Sequence, residues 1–303
     1  MGRGLHEASK VIRDAAINIL ETIHPATVRA VCYKLFTIGL IPNMAKTSTN
    51  KVSSLLTRAR ESGHVEWEWI VDETRRPERA QQWDNPMQIM NAAVLGYRLD
   101  YWNDQPFHVE VISEKGTVRG TIAPVLDELG VTFRVLHGYG SATTVHDIAD
   151  EIRSAMKPTH LLYIGDFDPS GMHMSEVDLP DRLDRYGANG RMWPIPFEDR
   201  NYILKRIALT SDDVKHPALP GFATDSKAND PRHQWYKRMY GDQCWELDAM
   251  DPRDLRERVR EEIEALIERD AWEHCMRIET VQRQSMNDFM GAVRAKFDGD
   301  SPI

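Results

Sequence analysis

The stretch "LLYIGDFDPSG", residues 161–171, decides the reading of this 303-residue chain. Leu161, Leu162, Tyr163 and Ile164 read as a short buried strand bounded by turn residues. Side chains alternate along a strand, so Asp166 and Asp168 are expected on one side at its carboxyl end. Two carboxylates that close repel each other unless a cation or a proton lies between them. A divalent metal is one reading; an Asx-rich turn that merely closes the strand is the other.

Working outward, strands alternate with helices from Phe107 onward. "FHVEVISEKG" is a strand ending in Glu114, and Val118, Ile122, Val125, Leu126 and Leu129 stripe the helix after it. "VTFRVL" is a second strand, "SATTVHDIADEIRSAM" a helix, "THLLYIGDFD" a third strand, "MHMSEVDLPDRL" helical and "RMWPIPF" extended. This βαβα order predicts an α/β domain with a parallel sheet and helices on its faces. Sites in such sheets lie outside the carboxyl ends of strands, and Glu114, Asp166 and Asp168 all fall there. Oxygen ligands without thiols predict Mg²⁺, or Mn²⁺, rather than zinc. Gly116 and Gly171 either let backbone approach a phosphate closely or simply form turns.

The amino-terminal part differs. Ile12, Ala16, Ile19, Leu20 and Ile23 follow helical spacing; Val28, Val31, Cys32, Leu35 and Phe36 stripe a second helix that stops at Gly39. A third carries Val52, Leu55, Leu56 and Ala59 inward, stops at Gly63, and presents Lys51, Ser54 and Arg58 on its opposite face. "HVEWEWIVDETRR" alternates like a strand, with a second extended segment beyond it. Three helices and a strand pair describe a winged helix-turn-helix, whose third helix would enter a DNA groove. A helical dimerisation domain with a solvated basic face is the plainer alternative. Tyr33 lies off the apolar stripe of the second helix, one turn after Arg29. It would stack on a base, pack under the wing, or serve as a nucleophile activated by a nearby cation or base.

Charge is distributed to match. Residues 1–60 hold nine Lys and Arg against three Asp and Glu, a surplus of +6 that leaves −15 of the net −9 for the remainder. A basic module joined to an acidic one suits a polyanion at one end and a cation at the other. The composition, 41% hydrophobic and 28% charged, is that of a globular protein. No run approaches a membrane span, no apolar signal core opens the chain, and Cys32, Cys244 and Cys275 follow no CxxC pattern; a cytoplasmic protein with reduced thiols is expected. No Walker-type phosphate loop is present, so any ATP-driven step would need a separate subunit. Toward the carboxyl end, "ALPGFATDSKANDPRHQ" is expected as a loop that orders on DNA. Glu246 and Asp248 in "WELDAM" are candidate additional acids. One long helix is expected from Asp251-Pro252 through residue 279, striped by Leu255, Val259, Ile263, Leu266 and Ile267, and the last residues are expected to fray.

A strand ending in Glu, followed by a strand ending in "GDFDPSG", resembles the Toprim domain in the form it takes in the topoisomerase VI A subunit and its meiotic double-strand-break relatives. Those proteins place a winged helix before that domain, with a motif of Arg, an acid, an aliphatic residue and two Tyr. "RAVCY" keeps Arg29 and Tyr33 at that spacing, while Ala30 and Cys32 replace the acid and the first Tyr. The resemblance spans roughly residues 26–267 and is nearest to the short stand-alone A-subunit-like proteins of phages and mobile elements. It implies a winged-helix DNA-binding and cleavage domain over 1–84, a helical connector over 85–106, and a Toprim metal-binding domain with a helical extension over 107–303. It further implies a DNA-cleaving, and rejoining, transesterase acting on double-stranded DNA as a homodimer, with a separate ATPase subunit for strand passage and a nucleoid-associated location. Tyr33 of one copy would attack beside the acid site of the other, with Arg29 on the phosphate. Glu114 would be general acid/base or ligand, and Asp166 and Asp168 would hold Mg²⁺. A metal-dependent nuclease using water, and a non-catalytic DNA-binding protein, remain as alternatives.

Overall fold

The structure is a computed structural model that describes residues 7–71, 82–136, 142–155, 157–189, 201–217 and 219–299. In chain order the helices and strands are α1 Glu7–Ile23, α2 Val28–Thr37, α3 Lys46–Glu61, α4 Pro86–Gly96, β1 His108–Ser113, α5 Val118–Leu129, β2 Thr132–Val135, α6 Ala142–Ser154, β3 Thr159–Ile164, α7 Pro169–His173, α8 Leu179–Arg185, β4 Tyr202–Ala208, β5 Phe222–Ala223, α9 His233–Tyr240, β6 Gln243–Cys244, α10 Pro252–Glu264 and α11 Arg269–Gly299. A π-helical turn, Met174–Asp178, joins α7 to α8. The extended stretch expected over 191–197 lies outside the described residues, as does the part of the expected wing beyond residue 71.

The three amino-terminal helices form where the apolar spacing predicts. Ile12, Ala16, Leu20 and Ile23 of α1 meet Val31 and Leu35 of α2 and Val52, Leu55, Leu56 and Ala59 of α3 in one buried cluster. Gly39 and Gly63 follow α2 and α3 with φ of +75° and +73°, the left-handed conformation that lets a chain leave a helix without Cβ strain. The expected strand after α3 does not form in the described residues. Trp67–Trp69 is instead a 3₁₀ turn, and Ile70 makes one isolated parallel bridge to Ala26. The aromatic rings explain this: Arg60 lies 4.4 Å from the Trp67 ring centroid and donates to the Trp67 carbonyl, while Trp69 stacks on His24 at 4.7 Å. Both rings are used to anchor a turn, so their alternation does not signal a strand.

The predicted parallel sheet is present, with four strands in the order β2-β1-β3-β4 and every pairing parallel. Leu161 and Tyr163, two residues apart and so on one face, join Ile112 and Tyr202 in a core closed by Val145 and Ile148 of α6 and Leu179 and Leu183 of α8. The ends of β1 and β3 lie side by side, with Ser113 opposite Ile164. That register brings the residues that follow each strand to one edge of the sheet.

The chain divides into two compact units whose boundaries differ from the sequence expectation. Met1–Arg75 and Phe107–Ala265 form one; Arg76–Pro106 and Leu266–Ile303 form the other. The three-helix part and the sheet therefore belong to a single unit. The 85–106 segment, expected as a connector, carries α4 and pairs with the carboxyl-terminal helix. In that second unit Trp272 packs edge-on against Tyr101 and Trp102, Glu279 accepts from the Leu99 amide at 2.9 Å, and Arg283 donates to the Tyr97 carbonyl at 2.5 Å. The single long helix expected after Asp251 is broken at 265–268 into α10 and α11. Gln105 satisfies the backbone at the break: its side-chain oxygen accepts from the Glu268 amide at 2.7 Å, and its amide nitrogen donates to the Glu268 carbonyl at 3.3 Å.

Candidate active site

Glu114 follows β1 directly, and Asp166 and Asp168 lie in the loop between β3 and α7. Strand alternation does not govern the two aspartates as expected, because β3 ends at Ile164. Phe167 between them forms an antiparallel bridge with Trp245. Asp168 is the N-cap of α7, its Oδ1 accepting from the Gly171 amide at 2.8 Å. The turn reading of this motif is thus realised for one carboxylate oxygen, and the second, Oδ2, is left to face Lys227 at 3.1 Å. Asp166 Oδ1 accepts from the Leu247 amide at 2.8 Å and from Lys115 Nζ at 2.7 Å.

Gly171 explains the close approach of Glu114. A Cβ there would fall 2.3 Å from the Asp166 carbonyl oxygen and 3.2 Å from Glu114 Oε1. Burial, then the charges of Asp166 and Asp168, push the Glu114 carboxyl up to about 7. The three carboxyl groups therefore act on one another where water is scarce, and cations stand against them. Lys115 also reaches Asp248 Oδ2 at 3.4 Å; burial opposes its charge, but Asp166 and Asp248 more than compensate and raise its proton affinity. Lys227 is likewise raised by Asp168 against the effect of burial.

Arg206, half-buried on β4, holds the loop from beneath. Its guanidinium donates to the carbonyls of Gly171 at 2.7 Å, Gly165 at 2.9 Å and Leu209 at 3.0 Å, and to Ser175 Oγ at 3.1 Å. It also lies 4.9 Å from the Tyr163 ring centroid. A fork of fixed donors of this kind is suited to pinning an irregular loop. The donor chemistry of the site, hard carboxylate oxygens without thiols, is the kind a hard divalent cation takes. Among the described residues no three His, Cys, Asp or Glu side chains stand in a ready-made metal-binding cluster. Two of the carboxylates are engaged by lysines instead.

The amino-terminal helices reach the same pocket. Thr27, the N-cap of α2, donates to Asp248 Oδ1 at 2.8 Å; Arg29 Nε donates to Glu246 Oε2 at 2.5 Å; Lys34 donates to Asp251 Oδ2 at 2.8 Å. The polar face of α2 thus docks, within one chain, on the segment whose Leu247 amide holds Asp166. Tyr33 is 4% exposed yet stands outside the hydrophobic cluster of the three helices. Its neighbours are Arg29, 5.7 Å from the ring centroid, and Glu246. Burial first, then the Glu246 charge, raises the proton affinity of its phenol. Lys51, Ser54 and Arg58 are all exposed along α3, as the helical spacing predicts.

The structure therefore gathers Arg29, Tyr33, Glu246, Asp248, Lys115 and Asp166 along one line of contacts, with Glu114 and Asp168 beside it. Sequence spacing singled out the acids and the tyrosine, and it raised Glu246 and Asp248 as candidates. It missed Lys115, Lys227 and Arg206. Lys115 adjoins Glu114 in sequence and was within reach of inspection; Lys227 and Arg206 come from distant segments and carry no local signal. No protein-family model matches the chain, and neither a curated protein nor a solved structure shows significant similarity to it. No helix among the described residues is long and apolar enough to cross a membrane.

Proposed function

We propose that this protein is a divalent-cation-dependent DNA-cleaving transesterase of the topoisomerase VI A type, with Tyr33 as nucleophile. One observation carries the reading: the helix bearing Arg29 and Tyr33 is docked on the Glu246–Asp251 segment that also contacts Asp166 and Lys115. A phenol and an acid pocket on separate parts of the sequence are brought to one place by contacts that packing alone does not require. Duplex DNA lying on the exposed Lys51, Ser54 and Arg58 would be held through its phosphates.

In this reading the Tyr33 oxygen attacks a backbone phosphorus, a phosphotyrosyl bond forms, and the bond to one sugar oxygen breaks. The phenolic proton passes to Glu246, the carboxylate beside it, and Arg29 offsets charge on the phosphate. Glu114, which retains a proton to about pH 7, protonates the departing sugar oxygen or completes a ligand set with Asp166 and Asp168. When bound there, Mg²⁺ or Mn²⁺ would supply charge stabilisation to the phosphate. The bond energy is kept in the phosphotyrosine, so the reverse reaction reseals the strand without ATP. One phenol cuts one strand, so a double-strand break calls for two copies, and strand passage for a separate ATPase.

The burial of Tyr33 favours a second reading, hydrolysis, in which water attacks, Glu114 accepts its proton and Tyr33 only packs. One experiment separates the two. Supercoiled plasmid is incubated with the protein and Mg²⁺, denatured, and analysed with and without protease. Transesterification leaves DNA trapped on protein and is lost in Tyr33→Phe; hydrolysis gives free ends at the same rate in the variant. No cleavage under any condition, with Asp166→Ala indistinguishable from the parent, would remove both.

A further inference from the structure

We propose that Lys115 and Lys227 are phosphate-binding residues held in reserve on Asp166 and Asp168, and that a divalent cation entering the pocket displaces them onto the DNA backbone. This rests on the metal-dependent reading above and extends it to two residues and an order of events. Lys115 Nζ lies 2.7 Å from Asp166 Oδ1, and Lys227 Nζ lies 3.1 Å from Asp168 Oδ2. Asp168 is held through both oxygens, Oδ1 by the Gly171 amide and Oδ2 by Lys227, whereas Asp166 takes the Leu247 amide and Lys115 on the one oxygen Oδ1. A cation that binds Asp168 Oδ2 or Asp166 Oδ1 therefore meets an ammonium already on that oxygen.

The two lysines differ in reach. Lys115 is largely enclosed and bridges Asp166 to Asp248, which keeps it near the Arg29 and Tyr33 face. Lys227 ends a 3₁₀ turn, Thr224–Lys227, and its side chain is 38% exposed. A flexible four-carbon stem with three donors is able to swing from a carboxylate to a phosphate a few ångströms away. Once released, each ammonium would be free to reach a phosphate beside the acids. The exchange also keeps the pocket near neutrality in both states, which avoids an uncompensated buried charge.

The test measures two quantities with opposite expected signs. Mn²⁺ binding to the metal-free full-length protein is followed by electron paramagnetic resonance for the parent, Lys227→Gln and Lys115→Gln. Removing a competing ammonium should tighten Mn²⁺ by about tenfold, the size of effect one adjacent charge has on a carboxylate. A blunt-ended DNA duplex is then titrated in saturating Mn²⁺ in a Tyr33→Phe background. Binding should weaken in both lysine variants, and Lys227→Arg should restore it by keeping the charge. Mn²⁺ affinity unchanged or weaker in Lys227→Gln, in a parent that binds the ion, overturns the lysine exchange alone. Absence of Mn²⁺ binding in parent and variants overturns the metal-dependent reading and the exchange with it. Lys227→Gln serves if Lys115→Gln fails to fold, since Lys227 lies in a surface turn.

Discussion

Arg29 donates through Nε to Glu246 Oε2 at 2.5 Å, across 217 residues of sequence, and so ties the tyrosine-bearing helix to the segment that holds Asp166. The guanidinium is also in contact with Asp248 and sits over the Tyr33 ring. Cation, phenol and carboxylates form a single electrostatic group, although the basic and acidic halves of the chain supply them separately.

This group should show measurable coupling. Arg29→Ala and Glu246→Gln, alone and together, form a double-mutant cycle read by chemical denaturation. Because Arg29 is substantially exposed, the expected coupling is modest, about 0.5–1 kcal/mol. Glu246→Gln should also lower the Tyr33 phenol toward its ordinary range, since after burial it is Glu246 that raises it. Ultraviolet titration of the variant against Tyr33→Phe reads that shift. A phenol that titrates identically with and without Glu246 would separate the two residues.

The docking should weaken in acid. Burial alone would raise Asp251, but Arg253 and Lys34 outweigh it and hold the carboxyl at about 2. A carboxyl lowered in the folded state stabilises fully above its unfolded value near 3.8 and loses that contribution as pH falls through 2. Asp251→Asn keeps a good helix cap and removes only the charge. The parent should therefore exceed the variant by about 1–2 kcal/mol at pH 6, and the gap should close between pH 4 and 2. Thermal unfolding across that range, compared for both proteins, measures it.

How much of this was legible in the sequence depends on how local the signal is. The parallel sheet was readable because Val109, Val111 and Ile112 of β1 and the apolar run Leu161–Ile164 of β3 are separated by striped helices. The three acids were readable because Glu114 follows β1 directly and Asp166 and Asp168 lie in the short loop after β3. The turn at Trp67–Trp69 was not, because Trp67 and Trp69 alternate as a strand would while their rings are committed to Arg60 and His24. The break between α10 and α11 was not, because apolar spacing continues through Leu266 and Ile267; the partner that satisfies the interruption, Gln105, lies 163 residues away. The division into units failed for the same reason. Tyr33 off its stripe was a correct sign of an unusual face, but what covers that face is an acidic segment more than 200 residues later.

Arg206 should prove indispensable to the loop. It donates to carbonyl groups on both sides of the Asp166–Asp168 turn from a half-buried position, and burial lowers its own proton affinity. Arg206→Met would leave those acceptors without their donor in the interior, a loss of about 3–5 kcal/mol by denaturation. Arg206→Lys keeps charge but not the fork, and should recover only part of that loss. Equal stability of the methionine variant and the parent would contradict the clamp.

Gly171→Ala tests the closeness of the acids themselves. The added methyl would meet the Asp166 carbonyl oxygen at 2.3 Å and its carbon at 3.1 Å, both backbone atoms, with Glu114 Oε1 at 3.2 Å. Glu114 can turn aside, but the backbone cannot move without shifting Asp166 and the Asp168 cap. The cost of such overpacking is about 1–3 kcal/mol, and it falls on the distance between Glu114 and the aspartate loop. Stability should drop by that amount, and Mn²⁺ binding should weaken even at temperatures where the variant is fully folded. Gly171→Ser should behave the same way or worse, since its Cβ meets the same carbonyl. If the alanine variant binds Mn²⁺ like the parent, Glu114 and Asp166 do not serve one ion, and the shared pocket is a structural turn beside an isolated acid.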